Sequence, residues 1–318
     1  MSVLMLEKIN HKFKAMTGSK QSSGLSVCLG MIAQSISKVT LIPVDNFDHV
    51  KLAIQRFKPK KVVVESLWMS VDNFKVLKNQ FPNVKFYVHI HSNIPFLSAE
   101  PNSFESFRAL KEIGVGLIFN DHRSSSAFPE SIHLPNIYSG KMYPIKHSSD
   151  PNIINVICAG SMRTMKNHSV QALAAIMYAN SLGKKLRFHC NLNRFEGESM
   201  TPALVAIFKM YPQHELVSIP WMGHKEFVEF LTTMHMGMQV SLSESFNIVA
   251  ADYVAAGIPM VVSDEIEWAD SECCVPTGDP TIISLIMSRA KYSVENNRSS
   301  LSIRNKEAIK KWENFCDS

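Results

Sequence analysis

Residues 238–264, MQVSLSESFNIVAADYVAAGIPMVVSD, constrain the fold of this chain more than any other stretch. An apolar run gives way to Ser243-Glu244-Ser245, residue types that begin helices by accepting hydrogen bonds from free backbone N–H groups. A Gly and a Pro end the apolar helix that follows, and the β-branched residues after them are typical of an interior parallel strand. The stretch predicts a strand over residues 238–242, a helix over 248–256 and a strand over 260–262.

The predicted helix is apolar on nearly all sides, yet it carries the carboxylate of Asp252. A buried carboxylate needs a hydrogen-bonding partner, and no Lys or Arg lies within one helical turn. Glu244 stands roughly 12 Å away along the axis, a separation that suits two parts of one elongated, hydroxyl-rich ligand. The N–H groups of Ser245, Phe246 and Asn247 at the helix start would face an anion. A sugar joined to a nucleoside through a diphosphate has these parts. The alternative is that Glu244 is a cap and Asp252 a satisfied core acid.

The stretch resembles the nucleotide-binding signature of GT-B glycosyltransferases, especially glycosyltransferase family 4 (glycosyl transferases group 1). In that signature a loop Glu precedes a helical Glu by eight residues, and a Gly-x-Pro-x-Val strand follows. Glu244, Asp252 and Gly257-Ile258-Pro259-Met260-Val261 occupy these positions here. The resemblance implies that Glu244 contacts the donor sugar and that Asp252 holds the ribose hydroxyls. Asp252 has a shorter reach than Glu, and Ser245 replaces a Gly.

A second loop, after the predicted strand 153–159, resembles the family's diphosphate-binding loop. The family has Gly-Arg followed five residues later by Lys; Gly160 and Lys166 match, whereas Ser161 replaces the Arg. We expect Arg163 to supply that charge. The alternative is a solvated turn. The segment that contains Trp221 resembles the part of the family that frames the nucleobase.

The first half of the chain holds weaker candidates. His91 follows the predicted strand 84–90, where family members often carry a His that reaches the donor sugar across the cleft; the alternative is a surface histidine. His89, deeper in the strand, is predicted to be packed. Asp121 closes the next strand and is a candidate for its position alone. A loop rich in Gly and Ser matches the family loop between donor and acceptor, and its candidate residues are Gly18, Ser22, Ser23 and Gly24.

Strand-like and helix-like segments alternate twice along the chain, which predicts an α/β protein with two parallel sheets covered by helices. The polar, proline-containing residues 140–151 are typical of a linker. With the resemblance, this predicts GT-B architecture: two Rossmann-like domains facing a cleft and a C-terminal helix that packs back on the first. The predicted domains are 1–150, on the acceptor side, 151–300, which binds the nucleotide-sugar, and 301–318, with Trp312 and Phe315 as anchors.

Charge is divided unevenly between the halves. Residues 1–150 hold 18 Lys and Arg against 11 Asp and Glu, whereas residues 151–318 hold 15 against 17, which gives +7 and −2 of the total of +5. Lys8, Lys12, Lys14 and Lys20 lie close to the Gly-rich loop. The first half is therefore expected to bind an anionic acceptor, such as a lipid-linked glycan or nucleic acid.

The 318 residues, 46% of them hydrophobic, suffice for two α/β domains. No apolar run reaches the roughly 18 residues of a membrane span, and no signal peptide is recognisable. The six cysteines show neither metal-ligand spacing nor a disulfide framework. These features predict a cytoplasmic protein, with peripheral membrane association as a further expectation.

The sequence thus predicts a glycosyltransferase, hexosyl or pentosyl, that uses a nucleoside-diphosphate sugar, with UDP-sugar favoured and no other cofactor. The resemblance suggests retention of configuration. No Asp-x-Asp triplet occurs, so no metal site is predicted. Two alternatives stay open: a transferase acting on a modified DNA base, and a non-catalytic nucleotide-sugar-binding protein. A dehydrogenase is disfavoured because the glycine fingerprint of dinucleotide binding is absent.

Overall fold

The structure is a computed structural model, and it describes residues 2–9, 23–146, 150–194 and 200–318. The chain forms two compact units, Met1–Ser139 with Asn305–Ser318 and Gly140–Arg304. Each unit contains one parallel sheet flanked by helices, as predicted. The functional domains predicted at 1–150, 151–300 and 301–318 stay a prediction. The predicted cleft residues Gly18 and Ser22, and the basic residues Lys12, Lys14 and Lys20, lie outside the described residues.

The sheet of the first unit has six parallel strands in the order β2-β1-β3-β4-β5-β6. The strands are β1 Val3–Lys8, β2 Val39–Val44, β3 Lys61–Glu65, β4 Lys85–Ile90, β5 Gly116–Phe119 and β6 Ile132–His133. The helices are α1 Gly24–Ser35, α2 Phe47–Phe57, α3 Val71–Gln80, α4 Ile94–Leu97, α5 Ser103–Glu112 and α6 His122–Ala127. Asn46 and Ser70 cap α2 and α3 by accepting from the backbone N–H groups of His49 and Asn73, so polar residues start these helices.

The sheet of the second unit also has six parallel strands, in the order β12-β11-β10-β7-β8-β9. The strands are β7 Ile153–Ile157, β8 Lys185–Cys190, β9 Glu215–Ser218, β10 Met236–Gln239, β11 Met260–Ser263 and β12 Cys274–Val275. The helices are α7 His168–Ser181, α8 Thr201–Met210, α9 His224–Leu231, α10 Ile248–Ala256 and α11 Pro280–Met287. The order reverses between β7 and β10, and in sheets of this kind ligands bind at the carboxyl ends of the strands flanking such a point.

Helix α10 has the predicted bounds and is buried along most of its length. Its start differs from the prediction, because the cap is Asn247, whose side chain accepts from the N–H of Ala250 at 3.0 Å, and not residues 243–245. Gly257 ends the helix with a left-handed backbone (φ 72°) that glycine adopts without strain. Tyr253 packs over Gly237 of β10, where any Cβ would overlap the aromatic ring. The glycine therefore lets α10 lie close to the sheet.

The C-terminal helix α12, Val294–Asp317, begins in the second unit, and its residues from Asn305 on belong to the first. Trp312 and Phe315, the predicted anchors, are buried there among apolar residues of the first sheet. The indole of Trp312 donates to the carbonyl of Pro135 at 2.9 Å. Among the helices of the described residues, none combines the length and apolar composition needed to cross a membrane.

Candidate functional site

The second unit brings Lys166 and Glu244 together at the switch point. Lys166 ends a 3₁₀ turn, Thr164–Lys166, beyond the carboxyl end of β7, and Glu244 lies in the loop beyond β10. The ammonium of Lys166 forms an ion pair with Oε1 of Glu244, and only about a tenth of each side chain is exposed (10% and 9%). Two residues far apart in sequence thus form one partly buried charged site.

Gln239, the last residue of β10, connects this ion pair to the core. Its Oε1 accepts from Nζ of Lys166 at 3.1 Å and from Nδ2 of Asn247 at 2.9 Å. Its Nε2 donates to the carbonyl of Ala159 at 2.9 Å. Both ends of this buried amide are therefore satisfied, and the network fixes the position of the Lys166 ammonium.

The loop after β7 contains Gly160, whose φ of 120° disfavours any larger residue. Ser161, at the position of the family's Arg, accepts a hydrogen bond from Nε of Arg194 at 3.0 Å. The same guanidinium stacks 4.2 Å from the ring centre of Trp221. Arg194 therefore brings a cation to the position where the sequence lacks one. Arg163 is half-buried beside the 3₁₀ turn, and its predicted role in diphosphate binding stays a prediction.

Asp252 is buried in α10, and its partner is His224, the first residue of α9. Nε2 of His224 lies 2.6 Å from Oδ1 of Asp252, and 26% of the histidine side chain is exposed against 3% of the aspartate. Burial lowers the pKa of His224, but the hydrogen bond and negative charge of Asp252 outweigh it, so the pKa is raised from its ordinary value of 6.5. The partner that the sequence demanded is thus a histidine from another helix.

The residues before α10 differ in what they offer a ligand. The Phe246 side chain is buried, its ring centre 6.0 Å from that of Trp268, and its carbonyl accepts from the Trp268 indole at 2.7 Å. The Asn247 side chain caps the helix, so a ligand contact at Phe246 or Asn247 would involve the backbone. Ser245 is half-buried between Glu244 and Phe246. The predicted donor contacts of Ser245, Phe246 and Asn247 stay predictions.

In the first unit, His91 follows β4 directly, and its Nε2 lies 2.7 Å from Oε2 of Glu65 at the end of β3. Asp121 caps α6 by accepting from the N–H of Ser124 at 2.8 Å. Ser23 caps α1, and Gly24 is the first residue of that helix. The predicted sugar contact of His91 and the predicted cleft roles of Asp121, Ser23 and Gly24 stay predictions.

No family model matches the chain, and no curated protein matches it. Among solved structures, a sucrose-phosphate synthase from Thermosynechococcus elongatus matches with a TM-score of 0.68 at 13% identity, covering 99% of this chain and 96% of that one. HepE from Anabaena, in complex with UDP and glucose, matches with a TM-score of 0.67 at 11% identity, covering 100% and 98%. The trehalose-6-phosphate synthase OtsA matches with a TM-score of 0.65 at 10% identity, covering 99% and 97%. These neighbours are GT-B glycosyltransferases. The chain has the GT-B fold.

Three residues of this GT-B chain were not identified as site residues from the sequence. Gln239 lies within the apolar strand, Arg194 in a loop outside the quoted motifs, and His224 three residues after Trp221. Only for His224 did the sequence give an indication, because the buried Asp252 required a hydrogen-bonding partner and its own helix offered none. For Gln239 and Arg194, the strand pairing and loop path that place them beside Lys166 and Ser161 are properties of the tertiary fold.

Proposed function

We propose that this chain transfers a sugar from a nucleoside-diphosphate sugar to an acceptor. The observation that carries the proposal is the Lys166–Glu244 ion pair, held by Gln239 at the switch point of the second sheet. A cation there suits a diphosphate, and a carboxylate beside it suits sugar hydroxyls. A packed core ion pair would instead be expected away from the carboxyl ends of the strands.

In this proposal the second unit stabilises the departing diphosphate, whose negative charge grows as the glycosidic bond breaks. Lys166 provides one cation and Arg194 a second, with Arg163 as the third candidate. Groups already fixed in place stabilise developing charge without reorganisation, which is the usual source of large rate effects. The hydrogen bonds of Lys166 to Gln239 and of Arg194 to Ser161 are consistent with such fixed positions.

The remaining donor contacts follow the sequence prediction. Glu244 binds sugar hydroxyls, and Asp252, oriented by His224, accepts hydrogen bonds from the ribose. The base lies by Trp221, and His91 contacts the sugar. A UDP-sugar is our first choice of donor, because HepE was solved with UDP and glucose.

We further propose that transfer retains anomeric configuration and needs no Mg²⁺ or Mn²⁺ at the diphosphate. The side-chain cations of Lys166 and Arg194 would take the role that such an ion has in other transferases. After chelation and dialysis, added Mg²⁺ or Mn²⁺ should leave the rate unchanged. A rate that depends on either ion would contradict this part of the proposal.

The acceptor is proposed to be anionic and to bind the first unit, because the basic charge excess lies in residues 1–150. Surface attraction is screened over about 8 Å at physiological salt, so transfer should slow as salt rises while donor hydrolysis does not. A duplex acceptor should give a log affinity that falls linearly with log salt. A lipid-linked acceptor should instead make the protein co-sediment with anionic vesicles.

The proposal is tested by a thermal-shift screen against UDP-, GDP-, ADP- and CMP-sugars, followed by assay of donor hydrolysis. A ligand at 100 times its dissociation constant adds about 2.7 kcal/mol to the free energy of unfolding, which such a screen detects. We expect a UDP-sugar to give the largest shift and to be slowly hydrolysed. If no nucleotide-sugar shifts the transition, the donor site is wrongly assigned.

A second candidate is a non-catalytic nucleotide-sugar-binding protein. It is favoured by three departures from the family signature, Ser161, Ser245 and Asp252. Such a protein would give the same thermal shift but neither hydrolysis nor transfer. The hydrolysis assay therefore separates the two candidates.

A further inference from the structure

Three side chains of the first unit meet at the carboxyl ends of two neighbouring strands. Glu65 ends β3, and His89 pairs with it in the register of β4. His91 lies two residues beyond His89, so both histidines project from the same face. We propose that Glu65, His89 and His91 bind one borderline divalent cation of the Zn²⁺ class.

The separations between the ligand atoms suit such an ion. One ligand atom from each side chain lies within 4.8 Å of the other two. Oε2 of Glu65 is 2.7 Å from Nε2 of His91 and 3.1 Å from Nδ1 of His89. Ligand bonds of about 2.1 Å in a tetrahedral zinc site place neighbouring ligand atoms about 3.4 Å apart. Small side-chain rotations therefore admit the ion between the three atoms.

The hydrogen bond between Glu65 and His91 satisfies only part of the cluster. Within the described part of the chain, Nε2 of His89 and Oε1 of Glu65 lack a hydrogen-bond partner, although both side chains are fully buried. Among the described residues, Nδ1 of His89 has no neighbour at polar distance other than the Glu65 carboxylate 3.1 Å away. Buried polar groups nearly always have a partner, so exceptions need an explanation. An ion would give Nδ1 of His89 a ligand bond and would neutralise the Glu65 carboxylate.

The imidazole of His89 also has an aromatic neighbour. The ring of Trp312 lies 5.7 Å from that of His89 in an edge-to-face arrangement. A histidine bound to a metal through Nδ1 carries its proton on Nε2, and an aromatic ring is a weak acceptor for such a proton. The surroundings of His89 are therefore compatible with coordination through Nδ1.

The donor set selects the class of ion. Two imidazoles and one carboxylate suit Zn²⁺ and its spectroscopic substitute Co²⁺, whereas Mg²⁺ and Ca²⁺ prefer oxygen ligands. A cavity of about 370 Å³, whose lining includes His91, Ser66 and Trp68, opens beside the cluster. Three protein ligands would leave a fourth coordination position for water or a hydroxyl group. We expect that position to face the cavity.

This inference does not rest on the proposed sugar transfer. It assigns Nε2 of His91 to the ion, so the ion and the predicted sugar contact are alternative uses of that nitrogen. The ligands come from β3, from β4 and from just beyond it, and no compact sequence motif joins them, which explains why the sequence alone predicts no metal site.

The test is a Co²⁺ titration of the full chain after chelation and dialysis, followed by visible absorption. One equivalent of Co²⁺ should produce ligand-field bands, and Zn²⁺ should abolish them. His89→Gln and Glu65→Gln should each weaken binding at least about a hundredfold, because each removes a ligand and not merely a supporting hydrogen bond. His49→Gln, at a half-exposed histidine of the same unit, should leave the titration unchanged.

Three outcomes would overturn the site. The first is wild-type protein that binds neither ion at micromolar concentration, which would leave Glu65 and the histidines as a hydrogen-bonded cluster only. The second is a strong thiolate-to-cobalt charge-transfer band, which would assign the ion to cysteines. The third is unchanged affinity in His89→Gln protein whose circular dichroism matches wild type. The Co²⁺ titration of the wild-type protein tests the proposed site even if a variant fails to fold.

Discussion

Nε2 of His224 lies 2.6 Å from Oδ1 of Asp252, and this contact joins the start of α9 to the middle of α10. It explains how an almost wholly apolar helix carries a buried acid, because the acid has a partner on another element. It also fixes the carboxylate that we propose for ribose binding. The contact therefore has consequences for stability and for donor recognition.

The first prediction concerns pH and the free energy of unfolding. The pKa of His224 is raised in the folded protein, where Asp252 outweighs the effect of burial. A raised pKa stabilises the fold fully below the ordinary value of 6.5, and this stabilisation is lost as pH rises through the folded-state pKa. His224→Gln should therefore destabilise more at about pH 5.5 than at about pH 8.5.

Urea unfolding of wild type and His224→Gln at both pH values measures this difference. His49→Gln, which replaces a half-exposed histidine, gives the background cost of such a change. A cost of His224→Gln that is equal at the two pH values, or greater at the higher one, would contradict the charged pair.

The second prediction concerns ribose recognition by Asp252. Hydrogen bonds to a charged group contribute about 1.5–3 kcal/mol, so wild type should bind UDP at least tenfold more tightly than 2′,3′-dideoxy-UDP. Asp252→Asn should weaken UDP binding and reduce the ratio of affinities for UDP and 2′,3′-dideoxy-UDP. Calorimetry measures both affinities. Asp150→Asn, at an exposed aspartate before β7, is the control and should keep the preference.

The sequence predicts the fold in detail because most elements carry a local signal. Helix α10 has the predicted bounds, since a polar residue stands before its start, Gly257 ends it and every buried position but that of Asp252 is apolar. The elements that were not predicted are short or follow other elements closely, such as α4, β6 and β12. Their few residues hold too little periodicity to stand out from loops.

The candidate site could be predicted only in part. Lys166 and Glu244 were found through the resemblance, yet their direct ion pair was not expected, because it depends on how the loops after β7 and β10 approach each other. The sequence showed that Ser161 stands where the family has an Arg, so a positive charge is absent from that position. The guanidinium that contacts Ser161 belongs to Arg194, which sequence spacing cannot place beside residue 161.

The third prediction assigns the diphosphate to Lys166. Lys166→Met keeps most of the side-chain length and removes the charge, so UDP should bind at least about tenfold more weakly while uridine binding stays unchanged. Turnover should fall further than affinity, because the diphosphate gains charge in the transition state. Lys209→Met, at an exposed lysine of α8, is the matched control. Equal losses for UDP and uridine would indicate a collapsed site.

The fourth prediction separates Arg194 from Arg163. Arg194→Met should weaken UDP binding about tenfold or more, and it should change the fluorescence of Trp221, which loses its stacked guanidinium. If Arg163 is only a secondary cation, Arg163→Met should have the smaller effect on UDP. Arg289→Met, at an exposed arginine outside this site, is the control. If Arg163→Met weakens UDP binding more than Arg194→Met does, Arg163 is the main cation at the diphosphate, as the sequence predicts.

The fifth prediction uses the Lys166–Glu244 pair to separate binding from chemistry. Glu244→Gln preserves volume and a hydrogen-bond acceptor for Lys166 but removes the negative charge. Transfer should fall at least about a hundredfold, because the sugar loses a charged partner in the transition state. UDP, which lacks the transferred sugar that Glu244 would contact, should bind equally well or more tightly, since the Lys166 ammonium is no longer neutralised.

The informative result is a slower transfer in Glu244→Gln together with UDP binding that is equal to wild type or tighter. Rates are followed with the best donor of the screen, and UDP affinity by calorimetry, with Glu215→Gln as the control at a half-exposed acid of the same unit. Wild-type turnover in Glu244→Gln would remove Glu244 from the chemistry. A joint loss of transfer and UDP binding would mean that Glu244 acts only by holding Lys166. In that case Lys166→Met and the double variant should lose the same amount, because the two residues act as one unit.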